Sequence, residues 1–252
     1  MTVFVGGVSE LFQGDLDLGR RAAEMLSVEQ LGSHVVVEDL HYGAVSVVHR
    51  LNDLTPTTMI LVGATERGRA PGTVDRTLVG PLTLTPAQTQ AAVGDAVVGY
   101  VSLDLVVQVA FGLKALPPRT VLVDVEPAEI GPCDRLSSIG EQALQRAVRM
   151  VRTEVHRTPL MELAETLRSL CTGDRLEPVP AVEVMIDLLR ELEQLDGGGS
   201  WGSAFRERDR LRLRISEGQT GEGMDHLDWG LWWALIEEID RLQQTEAVEG
   251  LY

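Results

Sequence analysis

A glycine-rich loop with three acidic residues is the first segment whose residue types could do chemistry. It follows an apolar run at residues 2–5, begins with Gly6 and Gly7, and carries Glu10, Asp15 and Asp17. Its spacing is neither GxGxxG nor the P-loop pattern, and its carboxylates would repel a phosphate, so nucleotide binding is not indicated. Acids that follow the first strand of a parallel sheet suit a metal ion or a polar substrate instead.

Strand-like runs alternate with helical patterns over the first 155 residues. Apolar runs predict strands at 2–5, 35–39, 59–62 and 121–125, and the glycine pair is expected to end the first of them. Apolar residues at helical spacing predict helices at 18–31, 45–54, 103–116 and 139–155, and residues 73–84 are predicted to be extended or a hairpin. This alternation is typical of an α/β fold with a mainly parallel sheet and helices on both faces.

The pattern changes after His156, where the strand alternation ends. Helical patterns at 159–171, 181–195 and 226–244 are separated by prolines and glycine-rich segments, which predicts an α-rich C-terminal appendage. We therefore predict two domains. The first is an α/β domain at 1–156, and the second is an acidic, tryptophan-containing, mostly helical region at 157–252.

Acidic residues dominate the composition, with 38 Asp and Glu against 22 Lys and Arg and a net charge of −16. Residues 1–153 hold 12 basic and 17 acidic side chains, so most of the excess belongs to residues 154–252. Such a surface repels phosphate backbones and anionic lipids, so neither nucleic acid nor a membrane is expected as a partner. The sequence lacks a membrane-length apolar run and a secretory signal pattern, which predicts a cytoplasmic protein. Two cysteines are too few for a disulfide scaffold.

The order of these motifs resembles the hydrogenase maturation proteases, the endopeptidases that trim the C-terminus of the large subunit of nickel–iron hydrogenases. The family's acidic glycine-loop signature corresponds to residues 14–19, its second strand and turn to 35–43, and its third strand to 60–64. The Pro-Gly-Thr turn at 71–73, the helix at 100–116, the proline pair at 117–118 and the strand closing on Glu126-Pro127 follow in the family's order. The resemblance spans residues 2–155 and implies a phosphorylase/hydrolase-like α/β fold.

The resemblance also implies a nickel-sensing site built from two carboxylates and a histidine. The positions that match these ligands are Leu16, Gly63 and Tyr100. Leucine and glycine side chains have no donor atom, and a neutral phenol is a poor metal ligand at pH 7. We therefore expect neither a bound metal nor another cofactor, and no metal-dependent peptidase activity.

Neighbouring polar residues could replace the missing ligands, and the candidates are Asp15, Asp17, His41 and Glu66. If they do, the protein is an active nickel-dependent endopeptidase; otherwise these are solvated loop residues. The leading interpretation is a chaperone-like binding factor in nickel–iron hydrogenase assembly, with the hydrogenase large subunit or another assembly protein as its partner. A binding module that reuses this fold for an unrelated purpose is a third hypothesis, because fold does not determine function.

Two patterns in the appendage are candidates for partner binding. Arginines occupy every second position from 206 to 214, so a strand would place them all on one face. That face would be either a carboxylate-binding ribbon or a charged edge that prevents aggregation. A helical pattern carries three tryptophans on one face, as core or as a docking surface. The partner-binding candidates are Arg208, Arg210, Arg212, Trp229, Trp232 and Trp233.

Overall fold

The fold is taken from a computed structural model, in which residues 2–99, 101–172 and Glu237 are described, without the side chains of His156 and residues 159–172. The chain divides into two units, Met1–Val155 and His156–Tyr252. The mostly helical character predicted for 157–252 falls largely outside the described residues and stays a prediction. No helix within the described ranges is long and apolar enough to cross a membrane.

Five strands form one sheet in the order β2-β1-β3-β5-β4. The strands are β1 (Val3–Val8), β2 (Val35–Asp39), β3 (Thr58–Ala64), β4 (Val74–Leu78) and β5 (Arg119–Val125). Four of them run parallel, and β4 lies antiparallel along β5 at one edge. The predicted mainly parallel sheet is therefore confirmed, and β4 falls in the segment predicted to be extended.

Helices cover both faces of the sheet, as predicted. They are α1 (Leu18–Ser27), α2 (Ala44–Leu54), α3 (Pro86–Val97), α4 (Leu103–Gly112) and α5 (Ser138–Thr172). Successive strand side chains point to opposite faces, so Phe4, Met59 and Leu61 pack with α2, α3 and α4. Val5 and Ile60 belong to the other core, with α1 and the first part of α5.

The prediction that the glycine pair ends the first strand is wrong, because β1 runs through Gly6 and Gly7 to Val8. A Cβ atom on Gly7 would lie 2.1 Å from the carbonyl oxygen of Gly19, and one on Gly19 would lie 2.0 Å from that of Val8. Glycine inside a strand often marks a close approach of two backbones. These residues thus let α1 pack directly on β1.

Two helices differ from the sequence prediction. Helix α3 was not predicted, although Thr85 and Gln88 form a capping box at its start and Pro86 occupies its first turn. Helix α5 continues through Pro159 to Thr172, where two separate helices were predicted. A proline inside a helix removes one backbone hydrogen bond and kinks the helix without always ending it.

A buried ion triad fixes α5 to the strands β4 and β5. Glu154 on α5 has no exposed surface and accepts hydrogen bonds from Arg76 Nε at 2.7 Å and from Arg119 Nη2 at 2.5 Å. The Glu154 carboxylate is removed from water and shared by the two arginines, so loss of either arginine would weaken the compensation of a buried charge. The triad therefore holds α5 against β4 and β5.

Candidate functional site

A pocket of about 200 Å³ lies at the carboxyl ends of β1 and β3. The chain proceeds from β1 to a neighbour on one side and then to β3 on the other. Such a switch point opens a crevice, and ligands of parallel α/β sheets bind there. The lining residues are Val8, Ser9, Glu10, Leu16, Ala64, Thr65, Glu66, Val101 and Ser102.

The two described positions that match the family's metal ligands meet at this pocket. Leu16 lines it directly from the 3-10 turn Asp15–Asp17. Gly63 lies beside it on β3, paired with Val8 of β1. A Cβ atom on Gly63 would lie 2.6 Å from the carbonyl oxygen of Val8, so position 63 has neither a ligand atom nor space for one. Tyr100 lies outside the described residues.

Asp15 is an anchor for the polypeptide around the site. It has no exposed surface, and its Oδ2 accepts hydrogen bonds from the backbone N–H of Ala128 at 2.8 Å and of Glu129 at 3.1 Å. The backbone N–H of Ser137 donates to its Oδ1 at 2.7 Å, and the Ser137 hydroxyl donates to its Oδ2 at 2.8 Å. These four bonds occupy the carboxylate, which joins the glycine loop to the segment between β5 and α5.

Two other predicted substitutes also have partners elsewhere. Asp17 is buried and forms an ion pair with Arg20, whose Nε donates at 2.9 Å. His41 follows β2, and its Nδ1 lies 2.9 Å from a carboxylate oxygen of Asp39. Neither Asp17 nor His41 lines the pocket. The structure therefore does not bring the four substitute residues together.

Glu66 is the predicted substitute that lines the pocket, and Glu10 lines it as well. Glu10 is half-buried and Glu66 is exposed. Within the described ranges, no group of three His, Cys, Asp or Glu side chains is placed to hold a metal ion. The lining thus offers carboxylates and hydroxyls as hydrogen-bond acceptors.

An arginine network that the sequence analysis did not identify fixes the segment after β3. Arg67 binds both carboxylate oxygens of Asp104 at 2.7 and 2.9 Å, and its Nε donates to Asp124 at 2.7 Å. Arg69 Nε donates to Glu126 at 3.2 Å. The signal was present in the sequence, since Arg67 and Arg69 follow one strand while Asp124 and Glu126 end the neighbouring one.

Burial raises the pKa of Asp124 above the ordinary value of 3.8, although Arg67 and Arg69 act in the opposite direction. The folded protein therefore binds a proton at this group more readily than the unfolded chain does. Its contribution to stability is present in full below pH 3.8 and is lost as the pH rises through the folded-state pKa. The carboxylate is held in place at an electrostatic cost.

The partner-binding candidates of the appendage lie outside the described residues. These are the arginines Arg208, Arg210 and Arg212 and the tryptophans Trp229, Trp232 and Trp233. Their assignment stays a prediction, and the site built here consists of residues from the first unit.

No family model matches the sequence, and no curated protein matches it. The hydrogenase 2 maturation peptidase of a Thaumarchaeota archaeon is 22% identical, with a TM-score of 0.45 over 62% of this chain and 98% of its own. The hydrogenase maturating endopeptidase HybD of E. coli is 21% identical, with a TM-score of 0.48 over 63% and 94%. The NiFe hydrogenase maturation protease HycI of Thermococcus kodakarensis is 18% identical, with a TM-score of 0.44 over 61% and 91%. These three solved structures, to which this chain is similar in fold, are hydrogenase maturation peptidases.

Proposed function

We propose that the protein acts in nickel–iron hydrogenase assembly as a factor that binds a hydrogenase component without metal-dependent cleavage. The ordered motifs over residues 2–155 support a scaffold of the maturation-protease type, and the pocket at the switch point supports binding. The proposal depends on the residues at two positions that match the family's metal ligands, because neither residue offers a donor atom. Leu16 is aliphatic, and Gly63 is packed against a backbone carbonyl.

The residues around the pocket do not fit a nickel ion. Imidazole ligands suit nickel, whereas carboxylates without them suit magnesium, calcium or manganese. The described lining contains two glutamates and no histidine or cysteine. Asp15 and Asp17, the buried acids on either side of Leu16, are engaged by backbone donors and by an arginine. A metal site would require these interactions to break at the same time.

The same interactions make the site suitable for holding a partner. The anchored carboxylate of Asp15 joins the glycine loop to the segment before α5, and the arginine network fixes the residues that follow β3. Both sides of the pocket are therefore preorganised, which reduces the entropy lost on binding. Loops at the carboxyl ends of parallel strands are where such folds place their binding residues.

The direct test is to mix the purified protein with a nickel-loaded precursor of a hydrogenase large subunit. We expect a complex by size-exclusion chromatography, and an intact precursor by mass spectrometry after prolonged incubation. An active maturation protease acting on the same precursor is the positive control for cleavage. Specific removal of the C-terminal peptide by this protein would overturn the proposal.

One observation favours the active endopeptidase as the second candidate: Glu66, a predicted substitute ligand, lies on the pocket. Calorimetry with Ni²⁺ separates the two functions. Micromolar binding that is lost in Glu66→Gln, but kept in a variant of the exposed Asp134, Asp134→Asn, would support the endopeptidase. Absence of any hydrogenase component in a co-purification from the native host would instead support a module unrelated to hydrogenases.

A further inference from the structure

Two glutamates line the pocket, and no side-chain interaction in the described part of the chain neutralises their charges. Glu10 and Glu66 both line it, and neither side chain makes a hydrogen bond or an ion pair within the described ranges. The nearest arginines along the chain are already engaged. Arg20 pairs with Asp17, and Arg67 is held by two other carboxylates. The pocket is therefore a negatively charged site open to a cation.

The remaining lining determines what kind of cation fits. Val8, Leu16, Ala64 and Val101 give the pocket an aliphatic wall, while Ser9, Thr65 and Ser102 add hydroxyl oxygens. A volume of about 200 Å³ is below the range of drug-sized ligand pockets, so it suits one long side chain. An aliphatic stem that ends in a positive charge, as in arginine or lysine, matches both parts of this lining.

A loop beside the pocket presents an aromatic side chain to solvent. The backbone N–H of Glu10 donates to the carbonyl of Leu16 at 3.1 Å, so the two ends of the loop meet at the pocket wall. Between them, Phe12 is 60% exposed, and Leu11 is exposed as well. The Phe12 carbonyl accepts a hydrogen bond from the backbone N–H of Cys133 at 2.9 Å, which holds the loop in place. Exposed aromatic residues next to a pocket are frequent anchors of protein interfaces.

We propose that this loop and pocket bind an extended segment of a partner protein. An arginine or lysine of that segment enters the pocket between Glu10 and Glu66, and a neighbouring apolar side chain packs on Phe12. The charge complementarity of the two glutamates identifies the occupant as basic, since an acidic or phosphorylated segment would be repelled. This inference deepens the proposed function and rests on it for the identity of the partner.

Synthetic peptides test the chemistry without a hydrogenase. The probe is an acetylated and amidated pentapeptide with a central arginine flanked by leucines, titrated into the full-length ¹⁵N-labelled protein. The matched control carries citrulline, which keeps the shape of arginine and removes its charge. We expect chemical-shift changes centred on residues 9–16 and 64–66, and arginine binding about tenfold tighter than citrulline binding, as for a partly exposed charge-assisted pair.

Variants of the site identify which side chains recognise the peptide. Glu10→Gln is expected to weaken arginine binding by about tenfold and Glu66→Gln by less, because Glu66 is more exposed. Phe12 has a φ of +60°, which glycine adopts without strain. Phe12→Gly should therefore weaken binding several-fold while leaving the protein at least as stable. Equal binding of the citrulline peptide, or shift changes confined to other residues, would overturn the inference.

The same variants separate this inference from the proposed function. A hydrogenase precursor that binds the parent protein, but no longer binds Glu10→Gln or Phe12→Gly, supports both. If the precursor binds all three proteins equally, the assembly role stands and the inference is wrong. If the arginine peptide binds as expected but no hydrogenase component binds, the inference stands and the proposed function is wrong.

Discussion

Substitution of Asp15 tests most directly whether its carboxylate has a structural role or binds a metal ion. In Asp15→Asn, the amide oxygen can serve one of the two carboxylate positions, and the amide nitrogen must occupy the other. The most favourable orientation keeps the three donors that meet Oδ2 and places the NH₂ group opposite the backbone N–H of Ser137. The variant therefore loses at least one hydrogen bond and places two buried donors, the new amide group and the Ser137 backbone N–H, against each other.

The size of this effect follows from those contacts. A hydrogen bond to a charged group contributes about 1.5–3 kcal/mol, and a buried donor without a partner costs about 1–3 kcal/mol. We expect Asp15→Asn to lower the free energy of unfolding by roughly 3 kcal/mol. Asp15→Ala should lower it by roughly 4 kcal/mol or more, because three backbone N–H groups lose their acceptor.

Urea denaturation followed by far-UV circular dichroism at pH 7 measures this difference. The control is Asp134→Asn, since the exposed side chain of Asp134 makes one long contact, to Arg135 at 3.8 Å, and should change stability by less than about 0.5 kcal/mol. The reasoning is refuted if Asp15→Asn is as stable as the parent protein. It is also refuted if a chelator destabilises the parent to the level of Asp15→Asn, because that would make the carboxylate a metal ligand.

Three further predictions concern stability. Gly19→Ala should destabilise the protein by about 1–3 kcal/mol or more in the same assay, because its Cβ would meet backbone, whereas Gly94→Ala on the open side of α3 should stabilise it by about 0.5–1 kcal/mol. Equal effects of the two substitutions would contradict the packing argument. Glu154→Ala should cost about 3–5 kcal/mol because it removes a buried carboxylate that accepts from both Arg76 and Arg119, and a loss below about 1 kcal/mol would show that water replaces these bonds. Because burial raises the pKa of Asp124, the free energy of unfolding of the parent should fall relative to that of Asp124→Asn as the pH rises from 4 to 7. A parent that gains stability relative to Asp124→Asn over this range would show that the arginines lower this pKa instead.

The fold was accessible from the sequence because parallel strands and amphipathic helices leave local patterns. Buried strands appear as continuous apolar runs, and β3 and β5 were recognised for that reason. Helix α3 was missed because its apolar face is narrow, with Ala92 and Ala96 as its buried residues. The Thr85–Gln88 capping box does predict this helix, because it marks where a helix begins whether or not an apolar periodicity follows.

The site was less accessible because its interactions are not local. Asp15 was predicted as a possible metal ligand from its place in the glycine loop, yet its donors lie 113 to 122 residues further along the chain. Residue type alone does not distinguish a carboxylate that is saturated by backbone N–H groups from one that is open to a ligand. The exposure of Phe12 had no local signal either, since an aromatic residue with a positive φ is rare in any sequence context.

Gly63 shows how the two kinds of information combine. The sequence indicates that a ligand atom is missing at this position, and taken alone that loss could be reversed by one substitution. The structure adds that β1 and β3 approach so closely there that a side chain would contact the Val8 carbonyl. A lost ligand and a closed space at the same position are harder to reverse than either alone, because the strand pairing would have to shift before a new carboxylate could enter. The pocket beside it has remained open, with Glu10 and Glu66 on its lining. This combination supports the proposed binding role without a metal ligand at position 63.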